Sequence, residues 1–364
     1  MGFTVDAETL AGLPDLLDRL SDDASAAREY LVRNTRLHWV GIVSLIAHGH
    51  ERAVAEADSF FSTVAGPIAH DDAGRVRAAV DYYRHTDAAS AARVDATLPH
   101  PSAGARAVLT PGAHPGLFND VTRPRDVLVP PPDHHGDFPY APSWTQGLSP
   151  AAQIRNIIWM LTSLGAQLGI CDRAYDPVAE LVEPMSGDFA GLRGCADVFE
   201  RLAGASAGMS SNVQWGAVCL DRVWTGSAAD SCEDVLVRLD AALAEAQEPL
   251  RVVAEEYRRA AETVYEVNTL MGEVVNALID RALIAFLALD GAAASSETVI
   301  GPVVLGAVAG YEISKVWDLF RHAMELVDLA RVAMAALDTF LQGFSLFGNH
   351  PLPVLSTAAP SLPA

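Results

Sequence analysis

The chain has 364 residues, 50% of them hydrophobic, 7% aromatic and 20% charged, which is long enough for two or three domains with sizeable cores. Lys+Arg total 25 against 46 Asp+Glu, a formal net charge of -21, and no block of Lys/Arg offsets it. A surface that acidic repels phosphate backbones, which excludes nucleic acid as the expected partner. Lys315 is the only lysine, and the Arg- and Ala-rich usage fits a GC-rich bacterial gene.

The opening Met1-Gly2-Phe3-Thr4-Val5-Asp6 has neither the basic nor the apolar stretch of a signal peptide, and Asp6 breaks a myristoylation pattern. Leu10, Leu13, Leu17, Leu20, Ala24, Ala27 and Leu31 then recur at spacings of three and four, predicting one amphipathic helix over 7–36. Asp6 is placed to cap it, with Glu8 and Asp15 near its positive end. Trp39-Val40-Gly41 follows where the seam ends. A helix hairpin needs glycine where the backbone turns tightly, and a tryptophan beside it can close the open end. A second helix is expected to descend through roughly 45–96, although Gly66-Pro67 and Gly74 interrupt it. Near its end Tyr83 and Asp87 stand at i and i+4, on one helix face. In such a hairpin Trp39 and Tyr83 lie at opposite ends.

Residues 98–148 carry ten prolines and read as a linker or an extended loop wrapping the surface. Within them Asp133-His134-His135-Gly136-Asp137 gathers imidazoles and carboxylates. Neighbours on a Pro-rich loop do not converge on one ion without further ligands, so a solvated loop and no metal is the expectation. Ser149-Pro150 opens a helix with Ile154, Ile157, Ile158, Leu161 and Leu164 on its apolar face. Cys171, Cys195, Cys219 and Cys232 form no C-x-x-C pair; they are expected to be small buried helical residues, with one disulfide as the alternative.

Trp224-Thr225-Gly226 precedes a longer seam: Leu236, Leu239, Leu243, Ala246, Leu250, Val253, Tyr257, Ala260, Val264, Val267, Met271, Val274 and Leu278, which Pro249 is expected to kink. From Ala282 to Phe347 apolar helical stretches are broken by Gly291 and Gly301-Pro302, and a buried helix pair is expected. Its most apolar run, 298–311, is too short to span a bilayer. No β-branched alternation predicts a strand. The reading is an all-α protein of antiparallel helical hairpins or a bundle, divided as 1–97, 98–148, 149–285, 286–348 and a tail at 349–364. G-x-x-x-x-G-K-[ST], G-x-S-x-G and H-E-x-x-H are absent, and a non-enzyme without cofactor is expected.

Residues 1–97 resemble the W-x-G family of small helical-hairpin proteins exported by type VII (ESX) secretion systems. The opening Gly2-Phe3-Thr4-Val5-Asp6 before a Leu/Ala helix is similar to the EspC-like secretion-associated branch. Family members carry W-x-G in the turn and Y-x-x-x-[DE] after the second helix, which fall here on Trp39, Gly41, Tyr83 and Asp87. The stretches 187–192, 196–199 and 224–229 are similar to W-x-G-like modules of larger actinobacterial substrates, with Trp224 and Gly226 at a second turn. No second Y-x-x-x-[DE] accompanies it, because Tyr257 is followed by Ala261 and Tyr265 by Thr269.

The resemblance implies a virulence-associated effector, carrier or structural component, secreted or held in the cell envelope without a classical signal peptide. A composite of both motifs, on a folded dimer, would be read by the secretion ATPase. The first hairpin would pair with a cognate small W-x-G protein, with a second copy, or with residues 149–285 of its own chain. Two other readings stand beside this one: a membrane-active or pore-forming protein acting through 282–347, and a cytosolic helical scaffold or binding protein.

Overall fold

Asp6 ends the extended N-terminal segment and starts the first helix, its carboxylate accepting from the Thr9 backbone N–H at 3.2 Å and the Thr9 hydroxyl at 2.6 Å. Helix α1 (Ala7–Leu10) passes through a break at Ala11 into α2 (Gly12–Asn34), and the seam from Leu10 to Leu31 is buried along its whole length. A 3-10 turn at Gly41–Ile46 leads into α3 (Ala47–Thr63), a π segment at Val64–His70 and α4 (Asp71–His85). Gly66-Pro67 therefore widens the helix rather than ending it; the π segment accommodates a residue that has no N–H to donate. Arg28 pairs with Asp58, and Arg77 with Asp18, fixing this half as an antiparallel hairpin on α2. The computed structural model describes residues 3–98, 116–138, 142–148, 153–294, 300–347 and 352–353; Ser149-Pro150 and the tail beyond 353 lie outside them.

The first half ends with α5 (Ala88–Asp95); the second half holds α6 (Gln153–Gln167), α7 (Glu183–Met185), α8 (Phe189–Val223), α9 (Ser227–Glu245), α10 (Gln247–Ala294) and α11 (Ile300–Gly343). The expected kink at Pro249 is instead a boundary. The long seam is two helices meeting at Ala246, and Pro249 sits in the first turn of α10, where a missing N–H leaves no bond unmade. Both run antiparallel to α8: the Ser206 hydroxyl donates to the Leu243 carbonyl at 2.7 Å, and Phe199 stacks on Tyr257 at 5.8 Å. Helix α2 lies antiparallel on the other side of α8, with Leu16 against Gly216 and Tyr30 beside Arg201. The chain thus packs its second half over its own first hairpin. Helix α11 returns along α10 until Asp338 accepts the Gly49 N–H at 2.9 Å. The division drawn near 285 falls inside α10.

The all-α reading holds, with one small exception: Thr4–Val5 (β1) pairs antiparallel with Trp224–Thr225 (β2). Two residues per strand are too few to register as alternation. The Pro-rich segment from 116 to 138 lies along α8. Asn212 accepts the N–H groups of Val121 and Thr122 at 2.8 and 3.0 Å, and Arg125 pairs with Asp23 at 2.7 Å. His134 reaches Asp197 at 2.7 Å while His135 turns back on Asp133, so the two histidines have different partners. Among the described residues no group of three His/Cys/Asp/Glu could hold a metal. All four cysteines are free; Cys195, Cys219 and Cys232 are buried on helices, and Cys171 is half-buried in the loop after α6.

His50 joins the two halves. It is 4% exposed, with Nε2 2.8 Å from the Thr35 carbonyl oxygen and Nδ1 2.6 Å from the Tyr257 hydroxyl. A carbonyl only accepts, so Nε2 carries the proton, and in the neutral ring Nδ1 accepts from Tyr257. Burial holds His50 down to about 4. Because the unfolded chain binds this proton first, the stability His50 confers is present above about pH 6.5 and lost as pH falls toward 4. The shift corresponds to about 3 kcal/mol. Asp72, raised to about 6 chiefly by its burial, works in the opposite sense, since its protonation below pH 6 favours the fold. The histidine is therefore isolated by difference: between pH 7 and pH 4, wild type loses about 3 kcal/mol relative to His50→Gln in denaturant unfolding.

Candidate functional site

The two W-x-G turns sit at opposite ends of α8. At its N-terminal end, Asp188 caps the helix by accepting the Gly191 N–H at 2.9 Å, and its second oxygen accepts the His38 N–H at 3.1 Å. Trp39 follows, 37% exposed and edge-on to His50 at 5.3 Å between ring centres. It flanks the end of the hairpin rather than closing it by burial. Gly41 has φ +57, and a side chain there would overlap the carbonyl oxygens of Ser186 and Pro184. Its role is to let this turn press against the chain entering α8.

At the C-terminal end of α8, Trp224 is 5% exposed and Gly226 adopts φ +128. The carboxylate of Asp95, at the end of α5, accepts the N–H groups of Ser227 and Ala228, both at 2.9 Å. It is the N-cap of α9, supplied from 131 residues earlier in the chain rather than by the residue before the helix. A Cβ at Gly226 would stand 2.6 Å from Asp95 Oδ2, so the cap reaches its donors only past a glycine. The N-terminal strand closes the other side: Thr4 N–H donates to Thr225 Oγ1 at 3.0 Å and Asp6 N–H to the Val223 carbonyl at 2.8 Å.

Tyr83 completes this end. Its ring meets Trp224 at 5.6 Å and Phe3 at 5.7 Å, forming a run of three aromatic side chains from three separate segments. Burial, and then the nearby Asp95 carboxylate, pushes its hydroxyl well above the ordinary tyrosine range, so it stays protonated. Asp87 departs from the expected placement on the same helix face. Helix α4 stops at His85, Thr86 is extended, and Asp87 caps α5 by accepting the Ser90 N–H at 2.9 Å. That hydrogen bond holds its carboxyl below the usual range, leaving an exposed negative charge at the start of α5.

The structure therefore brings Tyr83 to Trp224 and Gly226, and leaves Trp39 and Gly41 at the far end. Phe3 and Asp95 are the members that sequence reasoning missed. Asp95 carries no local signal, since its partners lie 132 and 133 positions away. The thiols are poor nucleophiles: burial pushes Cys232 up to about 12 and Cys195 higher still.

The Asp95–Gly226 junction is testable. Gly226→Ala is expected to cost about 2–3 kcal/mol through strain and displacement of the cap, and Asp95→Ala about 1–2 kcal/mol. In the double variant the clash is gone, so the combined loss in chemical denaturation falls short of additive. Comparison with family models, with curated proteins and with solved structures finds no match to this chain.

Proposed function

We propose that this protein is a non-enzymatic substrate of a type VII secretion system, exported folded and active as an effector in the envelope or outside the cell. Its recognition site is Tyr83 and Asp87 of the first hairpin, with Tyr83 positioned by the buried Trp224 beside the Gly226 turn of the second half. The observation that carries this reading is the packing of the Tyr83 ring on Trp224 at 5.6 Å. In the family that residues 1–97 resemble, the secretion ATPase reads a composite of W-x-G and Y-x-x-x-[DE] on a folded dimer. Here one chain supplies both motifs at one end, so no separate helical partner is required to assemble them. Trp39 and Gly41 then serve the junction with α7 and α8 rather than the export signal.

Export in the native host tests it, with tagged variants blotted in culture filtrate, envelope and lysate, with and without the secretion ATPase. Asp87→Asn keeps the helix cap and removes only the charge. Trp224→Phe keeps an aromatic ring against Tyr83 and shortens the side chain. ATPase-dependent export should drop by at least ~10-fold in Asp87→Asn and in Tyr83→Ala, about 1.4 kcal/mol of lost recognition, and more modestly in Trp224→Phe. Trp39→Ala should be exported as wild type. Wild type confined to the lysate whether or not the ATPase is present would sink the proposal and favour a cytosolic binding protein. Export lost in Trp39→Ala but kept in Asp87→Asn would move the signal to the other turn.

A further inference from the structure

The far end of the α10–α11 pair inverts the pattern of a water-exposed helix hairpin. Over residues 280–290 and 307–311, the buried side chains are Ala282, Ala285 and Ala309. Large apolar side chains face outward instead: Leu283, Ile284, Phe286 and Leu287 on α10, Val308 and Tyr311 on α11, with Leu287 66% and Tyr311 60% exposed. At about 100° per residue, the four on α10 spread over roughly 160° of helix surface. This is the whole outward arc, where a helix packed against one partner shows a single stripe. Small residues at the helix–helix contact and large ones outside is the arrangement helices adopt in lipid, where close backbone approach replaces the hydrophobic drive.

The surrounding charges fit a water–lipid boundary. Residues 282–289 and 307–311 contain no charged side chain, although the chain carries -21 overall, and the exposed Asp290 marks the distal limit of this uncharged band. Just below them Arg281 pairs with Glu312 at 3.2 Å, and Lys315, the chain's only lysine, holds its ammonium 5.5 Å over the Tyr311 ring. A tyrosine with basic side chains beneath an apolar end is the usual furnishing of the headgroup level. Farther down, Leu278, Ile313, Val316 and Phe320 are buried in the body of the protein. From Ala282 to Leu289 the uncharged stretch of the helix extends about 12 Å, less than one leaflet's share of a hydrocarbon core about 30 Å thick. Among the described residues no helix is long and apolar enough to cross a membrane.

We propose that this end docks the protein on a lipid bilayer. Leu283, Ile284, Phe286, Leu287, Val308 and Tyr311 enter the interfacial and outer acyl region of one leaflet, and Arg281 and Lys315 stay among the headgroups. A second copy would cover one side of the hairpin and bring two strongly acidic bodies together, whereas a bilayer surrounds it. The acidic body makes a zwitterionic surface the better host. Residues 312–347 remain in the bundle, so docking is shallow and needs no pore. This inference does not depend on the route of export.

Flotation of the full-length chain with phosphatidylcholine vesicles tests it, beside vesicles enriched in phosphatidylglycerol, at low and high salt. The chain should float with the zwitterionic vesicles, with no gain from anionic lipid and little effect of salt. The double variant Ile284→Asp/Leu287→Asp should bind at least ~10-fold more weakly while its far-UV circular dichroism and melting match wild type, both positions being exposed. Val332→Asp, on an exposed position elsewhere on α11, should float as wild type. No flotation of wild type, or undiminished flotation of the double variant, overturns the proposal. Binding confined to anionic vesicles and abolished by salt overturns it in favour of headgroup electrostatics. Self-association that the double variant loses, without lipid binding, assigns the surface to a second copy.

Discussion

Everything in this fold is arranged around one helix that meets almost no water. Helix α8 has α2 on one side, α9 and α10 on another, and the Pro-rich strap along a third, and most of its side chains are buried. A helix in that position cannot be amphipathic in the ordinary sense; it must be apolar or small on every face. The run from Phe189 to Val223 meets this with alanines, glycines and serines between its large residues. Gly208 shows why smallness matters, because a Cβ there would come within 3.0 Å of Thr122 Oγ1 and 3.2 Å of Pro124. Two of the polar groups it buries are answered by other segments, Ser206 by the Leu243 carbonyl and Asn212 by the strap's backbone, while the buried Nη1 of Arg193 has no hydrogen-bond partner among the described residues.

Because α8 is shared, its two ends become the places where the halves of the chain are joined. Asp188 spends one carboxylate oxygen on its own helix and the other on the chain beside Trp39. At the opposite end Asp95 reaches from the first half to cap a helix of the second. Two short motifs that look alike in sequence thus have unequal burial and unequal neighbours. The turn at Trp224 is enclosed by an aromatic run and a strand pair, and the turn at Trp39 stays half open.

What the sequence discloses follows the range of the interaction responsible. The seams from Leu10 to Leu31 and from Leu236 to Leu278 are legible because burial repeats every three or four residues; of the long seam only Val274 is half-buried, with Val275 in the core beside it. Asp6 is legible as a cap because its acceptor meets a donor three residues on. Asp87 obeys the same local rule with Ser90, but the helical spacing from Tyr83 suggested one continuous helix. Pro249 is ambiguous locally, since a kink and a first-turn proline look the same until the break at Ala246 is seen. The meeting of Tyr83 with Trp224 has no local trace. It depends on α2 and α8 lying antiparallel, a fact of the packed molecule rather than of any window of residues.

The strand pair between Thr4 and Thr225 spans 221 positions. During synthesis the N-terminal segment emerges first and then waits for its partner; at about 5–20 residues per second that wait is roughly 10–40 s. Until the Trp224 turn leaves the ribosome, Phe3 and Tyr83 lack their third aromatic neighbour and Asp95 has no helix to cap. This end of the molecule consequently closes only after the chain has been made through α8, and its completion reports that the segments around Phe3, Tyr83, Asp95 and Trp224 have met.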